Sequence, residues 1–112
     1  METTRLQKLL AFYENEPNDE FLKYALATEY LRLNETDKSL MYYEDLLNNH
    51  PKYIGTYYHL GKLYEALNRK DDAIATYEKG LAVTKEARDN HAFSELQGVY
   101  MQLKGFDDDD DD

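Results

Sequence analysis

The chain has 112 residues, which is enough for one domain with a buried core but too few for two independent cores. It carries 23 Asp and Glu against 13 Lys and Arg, giving a net charge of −10, and residues 107–112 are all Asp. Because no basic cluster is present, neither nucleic acid nor an anionic membrane surface is expected as a partner. The absence of Cys excludes disulfides, thiolate zinc sites and cysteine nucleophiles.

No apolar run approaches the ~20 residues that a membrane-spanning helix needs. The N-terminus leads directly into an amphipathic segment and does not resemble a signal peptide. These two observations favour a cytoplasmic protein.

The first predicted element is a helix over about residues 4–15, with Thr4 and Gln7 spaced as a capping box and Pro17 after its end. A hairpin of two helices is predicted next, over about residues 20–50. Its apolar residues have helical spacing, Asn34 ends its first helix, Asp37 caps its second helix, and Pro51 prevents that helix from continuing.

A second hairpin is predicted over about residues 54–84. Tyr57, Leu60, Gly61 and Tyr64 recur at i, i+3, i+4 and i+7, which is one face of an α-helix. Asn68 has the side chain to end this helix in the left-handed conformation. Asp71 or Asp72 is then expected to cap the following helix.

A last helix is predicted over about residues 90–104, ending at Lys104 and Gly105. Residues 107–112 follow as an acidic tail. Six adjacent like charges repel one another, so an extended and solvated tail is expected.

The two hairpins repeat at an offset of 34 residues. Identical residues occupy ten pairs of positions at this offset: Pro17 and Pro51, Tyr24 and Tyr58, Leu26 and Leu60, Tyr30 and Tyr64, Leu33 and Leu67, Asn34 and Asn68, Asp37 and Asp71, Tyr43 and Tyr77, Glu44 and Glu78, Leu47 and Leu81. They are mostly packing positions, caps and breakers, which a stacked repeat unit must preserve.

These residues resemble the tetratricopeptide repeat family, whose pattern is W-x2-L-G-x2-Y, then A-x3-F, then P, in a period of 34. The best copy reads Tyr57-x2-Leu60-Gly61-x2-Tyr64 and then Ala73-x3-Tyr77. The preceding copy begins with Lys23 in place of the first aromatic, and a third start reads Phe93-x2-Leu96-Gln97-x2-Tyr100. The resemblance implies an all-α solenoid over residues 1–106, with six helices forming a half repeat, two full repeats and another half repeat.

The resemblance also gives roles to the abundant Tyr and to one Gly. The signature packing positions hold Tyr30, Tyr43, Tyr57, Tyr64, Tyr77 and Tyr100. Gly61 is expected to let the two helices of its hairpin approach closely.

Members of the family bind a partner peptide in a concave groove lined by the first helix of each hairpin. By repeat position, the groove residues here would be Phe21, Tyr24, Thr28, Arg32, Tyr58, Lys62, Glu65, His91 and Ser94. The resemblance therefore implies a non-catalytic scaffold with a protein or peptide partner. The family's clamp for acidic chaperone tails is not expected, because its positions hold Tyr24, Thr28, His59, His91 and Glu95 rather than Lys, Asn and Arg.

Two other interpretations stay open. The last helix carries four apolar residues with no following helix to cover them, so a homodimer through this helix is an alternative: Phe93, Leu96, Val99 and Leu103. The acidic tail is a second alternative, as a contact for a basic partner. No cofactor, metal site or enzymatic activity is expected, because the sequence has no phosphate-binding loop, nucleophile motif or convergent set of metal ligands.

Overall fold

The computed structural model describes the backbone of residues 4–110 and the side chains of residues 4–105. Within this part of the chain it has six helices and no strand, which confirms the all-α fold class. The helices are α1 (Thr4–Asn15), α2 (Glu20–Arg32), α3 (Thr36–Asn49), α4 (Gly55–Ala66), α5 (Lys70–Ala87) and α6 (Asn90–Asp110). The chain divides into two compact units, with the boundary between Thr56 and Tyr57 near the start of α4.

In the first unit, α2 packs against both α1 and α3. Leu6 of α1 is buried against Leu26 and Tyr30 of α2, and half-buried apolar side chains from α1 and α3 surround this cluster. Tyr43 of α3 is fully buried as well. The apolar face predicted for each helix is therefore the face that packs, and its burial supplies most of the stability of such a unit.

Asparagine ends the first helix of both hairpins, as predicted. Asn34 and Asn68 adopt φ values of 63° and 60°, in the left-handed region. The backbone amide that follows each of them donates to a carbonyl in the last turn of the helix: Glu35 to Tyr30, and Arg69 to Tyr64, both at 2.8 Å. Asn tolerates this conformation better than most residues, and the reversal it produces closes each hairpin.

The predicted aspartate caps are wrong. α3 begins at Thr36 and α5 begins at Lys70, so Asp37, Asp71 and Asp72 lie in the first turn of their helices instead of at the cap. The residues at the two cap positions, Glu35 and Arg69, do not cap the helix backbone with their side chains, and Arg69 bonds instead to the side chain of Asp72. The aspartates still favour these helix starts, because a negative charge in the first turn complements the helix dipole.

The second unit depends on two glycines that lie against aromatic rings. A Cβ atom at Gly61 would lie 2.1 Å from Cε1 of Tyr77, so the close approach predicted at Gly61 is confirmed. At Gly80 of α5, a Cβ atom would lie 2.6 Å from Cβ of Tyr57 and 2.9 Å from Cδ1 of Leu96. The sequence analysis did not identify Gly80 as a packing position.

Five of the six signature tyrosines are buried: Tyr30, Tyr43, Tyr57, Tyr64 and Tyr77. Tyr100 is half-buried and donates a hydrogen bond from its hydroxyl to Oε2 of Glu78, at 2.8 Å. The packing role inferred for Tyr100 is therefore only partial.

The ends of α5 and α6 differ from the prediction. α5 continues to Ala87, three residues past the expected end of the hairpin, and Arg88 follows it at φ 59°. α6 continues through Lys104 and Gly105 to Asp110, so the predicted helix end at Lys104 is wrong. The extended conformation predicted for the tail is wrong for residues 107–110, while residues 111–112 lie outside the described part of the chain.

Candidate peptide-binding faces

The predicted groove residues of the first unit lie on one face of α2. Phe21, Tyr24, Thr28 and Arg32 are spaced by three or four residues, so the helix places them in a line along its axis. Phe21 is 63% exposed, although a phenyl side chain of this size is ordinarily buried. Tyr24 and Thr28 are half-buried, and Arg32 is exposed.

Neighbouring aromatic rings hold Tyr24 in place. Its ring contacts Tyr43 edge-on, with the centroids 6.3 Å apart, and Tyr53 at a tilt, with the centroids 5.6 Å apart. Cε1 of Tyr24 would lie 3.3 Å from a Cβ atom at Gly55, so little space is left on that side. Burial raises the pKa of Tyr24, which keeps its hydroxyl neutral. Tyr24 therefore offers a fixed aromatic surface beside the exposed ring of Phe21.

The polar end of the α2 face is already organised by intramolecular bonds. The Thr28 hydroxyl donates to the Tyr24 carbonyl at 2.6 Å. Arg32 donates from Nε to Oε1 of Glu29 at 3.1 Å and from Nη2 to Oε2 at 2.5 Å. Nε of Arg5, on α1, also lies 3.3 Å from Oε1 of Glu29. The sequence analysis identified Arg32 but missed Arg5 and Glu29.

A second group of polar and charged residues surrounds the buried Lys23 at the other end of α2. Lys23 occupies the repeat position of Tyr57 and is only 3% exposed. Its Nζ atom lies 3.1 Å from Oδ2 of Asp45 and 3.2 Å from Nε2 of His50. Because the ammonium group only donates, Nε2 of His50 accepts, which leaves Nδ1 to donate towards Oε2 of Glu20, 3.4 Å away. This network explains how a lysine is tolerated at an aromatic position.

The second unit presents Tyr58, Lys62 and Glu65 on one face of α4. Tyr58 is half-buried and Lys62 is exposed. Glu65 accepts a hydrogen bond from the hydroxyl of Tyr77 at 2.5 Å and lies 3.8 Å from Nζ of Lys62. Burial and this hydrogen bond both raise the pKa of Tyr77. Glu65 thus serves the packing of α5 as well as the surface of α4.

The groove residues predicted on α6 are more exposed. His91 and Ser94 both point to solvent, and Nε2 of His91 lies 3.8 Å from Oε2 of Glu95. Burial lowers the pKa of His59 on α4, and the carboxylate of Glu95 opposes that shift only in part. α6 therefore brings an acidic group to the face of α4, which is unfavourable for an acidic ligand at this point.

The apolar residues predicted for self-association do not form one exposed patch. Leu96 is 1% exposed and packs inside the second unit near Gly80, so the prediction that it contacts a second copy is wrong. Phe93, Val99 and Leu103 are half-buried. The repeat signature places Leu96 at a core position, and this packing role takes precedence over the surface role.

The described residues show no metal-binding or membrane-spanning feature. No group of three or more His, Asp or Glu side chains among them is arranged to hold a metal ion. None of the helices in this part of the chain is long and apolar enough to cross a membrane.

Comparison with known proteins agrees with this geometry. Family models of the tetratricopeptide repeat match residues 22–53 and residues 54–86. These two matches follow one another directly and correspond to the α2–α3 and α4–α5 hairpins. No curated protein sequence matches the chain.

Solved structures match most of the chain. The solution structure of a tetratricopeptide repeat domain protein from Salinibacter ruber is 46% identical, with a TM-score of 0.76, and the match covers 80% of this chain and 90% of that one. A crystal structure of a tetratricopeptide repeat domain protein from the same organism is 45% identical, with a TM-score of 0.76 and coverages of 79% and 99%. A protein from Bordetella parapertussis shares the fold at 23% identity, with a TM-score of 0.78 and coverages of 96% and 92%.

Proposed function

Because the chain belongs to the tetratricopeptide repeat family, we propose that it is a non-catalytic interaction module that binds a segment of a partner protein on the exposed faces of its first helices. Repeats of this family generally mediate protein–protein interaction. In the first unit the binding face is Phe21, Tyr24, Thr28 and Arg32 on α2. In the second unit it is Tyr58, Lys62 and Glu65 on α4, with His91 and Ser94 on α6.

The observation that carries this proposal is the exposure of Phe21 beside the fixed ring of Tyr24. An exposed aromatic ring contributes little to the stability of the unit, whereas aromatic side chains supply much of the energy at protein interfaces. Tyr24 is held by Tyr43 and Tyr53, so it loses little conformational freedom when a ligand packs on it. An apolar side chain of the partner would cover both rings.

The experiment is an affinity capture from the cells that produce the protein, with captured proteins quantified by mass spectrometry. Three forms are compared with the unmodified chain: Phe21→Ala, the double variant Tyr24→Ala with Tyr58→Ala, and Phe12→Ala. Phe12 is the matched control, because it is a phenylalanine of similar exposure, 60%, that lies on α1 and is not part of the proposed face. We expect partners to be retained by the Phe12 variant and lost by the other two.

Equal capture by all forms would overturn the proposal, once circular dichroism shows that each variant is folded. Removal of residues 107–112 gives a further test. Loss of the partners on truncation, with α1 to α5 and the rest of α6 still folded, would assign the interaction to the acidic tail and overturn the assignment to the helix faces.

Self-association is the second candidate, favoured by the half-exposed apolar side chains of Phe93, Val99 and Leu103 and the 59% exposure of Met101 on α6. Light scattering over a concentration series tests it. A mass that stays at that of one chain, 13.2 kDa, at every concentration would eliminate it.

A further inference from the structure

A buried carboxylate holds two exposed arginines together in the first unit. Glu29 is 3% exposed, whereas Arg5 and Arg32 both reach solvent. The Nε atoms of both arginines contact the same oxygen, Oε1 of Glu29. Two positive charges are thereby kept close together on the surface, with one negative charge between them.

The fold does not require a carboxylate at this position. The residue one repeat later, 34 positions on, is Leu63, which is 5% exposed in the same part of a first helix. A leucine therefore fills the corresponding position of the second hairpin. Replacing a buried ion pair with apolar residues is often neutral or stabilising, so stability alone gives no reason for Glu29. Its distinctive effect is to orient Arg5 and Arg32.

An open cavity of about 340 Å³ lies at these residues, lined by Arg5, Thr28, Glu29 and Arg32. Each of the four lining residues carries a polar group, and two of them are arginines. The hydroxyl proton of Thr28 is already donated to the Tyr24 carbonyl. The donors left for a ligand are therefore guanidinium N–H groups, since each arginine has five and Glu29 accepts only some of them.

We propose that Arg5 and Arg32 form a subsite for a carboxylate side chain of the partner segment. This inference rests on the proposed function and specifies the chemistry of the ligand. Two guanidinium groups outweigh the single charge of Glu29, so the subsite has a net positive charge. Guanidinium and carboxylate groups also pair in bidentate geometry, which is the arrangement Arg32 already makes with Glu29.

The position of the subsite predicts a spacing in the ligand. Tyr24 and Arg32 are eight residues apart on α2, which corresponds to roughly 12 Å along the helix axis. An extended peptide advances about 3.3 Å per residue. The acidic residue of the ligand should therefore lie three or four positions from the apolar residue that packs on Tyr24.

The test uses the full chain and a panel of synthetic peptides with blocked ends. Each peptide carries one Phe and one Glu in a Gly and Ser background, at separations from one to six positions. A matched panel carries Gln in place of Glu. Binding is measured by fluorescence polarisation at physiological salt. We expect the tightest binding at separations of three or four and about a tenfold loss on changing Glu to Gln, as for hydrogen bonds to a charged group.

Two protein variants localise the effect. Arg5→Gln and Arg32→Gln should each reduce the affinity for the Glu peptide towards that of the Gln peptide and leave the Gln peptide unaffected. Each variant leaves Glu29 one arginine partner, so the unit should stay folded. Lys52→Gln is the control, because it removes the same charge from an exposed position of the first unit.

The outcomes separate the two proposals. Equal binding of the Glu and Gln peptides, with sensitivity to Phe21→Ala, would overturn the carboxylate subsite and leave the proposed function standing. A loss on Lys52→Gln as large as that on Arg32→Gln would also overturn the subsite, because the effect would then be one of overall charge. Failure of every peptide to bind would overturn the subsite, and the capture experiment would then decide the proposed function by itself.

Discussion

The ring of Tyr77 lies directly over the backbone of Gly61, so close that a Cβ atom at position 61 would be 2.1 Å from Cε1 of the ring. Tyr77 is fully buried, and its hydroxyl is bonded to Glu65 on the same helix as Gly61. The ring therefore has contacts on both sides and little freedom to move away.

Gly61→Ala should destabilise the second unit by about 1 to 3 kcal/mol, the usual cost of overpacking a core. Alanine is a better helix former than glycine by about 1 kcal/mol, but this gain does not offset a clash with a buried ring. Urea denaturation followed by circular dichroism measures the change.

Gly98→Ala is the matched control, because Gly98 lies within α6 and a Cβ atom there would have no neighbour within 4 Å. The same substitution should stabilise this helix by about 0.5 to 1 kcal/mol. If Gly61→Ala stabilised the protein as Gly98→Ala is expected to, the steric role of Gly61 would be refuted.

Arg88 gives a prediction of the opposite sign. Arg88 follows the last residue of α5 and has φ 59°, in the left-handed region that glycine adopts most easily. Its side chain is exposed. For residues with a Cβ atom, this conformation raises the free energy of the folded state by roughly 1 kcal/mol or more, whereas for glycine it does not. Arg88→Gly should therefore raise the free energy of unfolding by about 0.5 to 1 kcal/mol in a thermal or urea melt.

Arg88→Ala tests the reason for that gain. Alanine removes the same side chain but keeps the Cβ atom, so it should leave stability within about 0.5 kcal/mol of the unmodified chain. If alanine stabilised as much as glycine, the gain would come from removing the charge and not from the backbone conformation.

The helices of both hairpins were predictable because the chain repeats its own packing pattern. Tyr57, Leu60 and Tyr64 recur with helical spacing, and Asn34 and Asn68 mark the same point in two copies. Gly80 was missed because a glycine within a helix has no sequence signal of its own. Its role becomes apparent only when Tyr57 and Leu96, from two other helices, are seen to pack against it.

The carboxylate subsite had a signal that the sequence analysis did not use. Within the 34-residue frame, Lys23 and Glu29 lie where the second copy has Tyr57 and Leu63, so two charged residues occupy buried positions. Comparing the copies position by position reveals this exchange. It does not reveal that Arg5 is the second partner of Glu29, because that contact depends on how α1 packs against α2.

The burial of Lys23 predicts that stability depends on its carboxylate partner, Asp45. Asp45→Ala removes its carboxylate partner and leaves the ammonium group with only the hydrogen bond to His50. An unpaired buried charge is costly, but Asp45 is partly exposed, so a loss of about 1 to 3 kcal/mol is expected in urea denaturation. Adding Lys23→Met should recover much of that loss, because the charge that needs a partner is then absent.

Glu14→Ala is the control for the loss of a negative charge, since Glu14 is exposed on α1. It should change stability by less than about 0.5 kcal/mol. Lys23→Met is also measured alone. If the double variant Asp45→Ala with Lys23→Met lost as much stability as the two single variants together, Lys23 and Asp45 would not be energetically coupled.

Tyr43 and Tyr77 predict how stability depends on pH. Burial raises the pKa of both hydroxyls above the ordinary value of 10.0, and the hydrogen bond to Glu65 raises that of Tyr77 further. Below pH 10 both are protonated in the folded and unfolded chains, so they add no pH dependence. Above pH 10 the unfolded chain releases protons that the folded chain retains, and stability falls by up to about 1.4 kcal/mol per pH unit for each such tyrosine.

Urea denaturation at a series of pH values between 8 and 12 measures this fall, and tyrosinate absorbance reports ionisation in the same samples. Tyr77→Phe should lose about 1 kcal/mol at neutral pH, from the hydrogen bond to Glu65, and should show a shallower decline above pH 10. The buried hydroxyls should ionise only as the helical signal disappears. Ionisation of all 11 tyrosines in one step near pH 10, with the helices intact, would contradict the burial of these two rings.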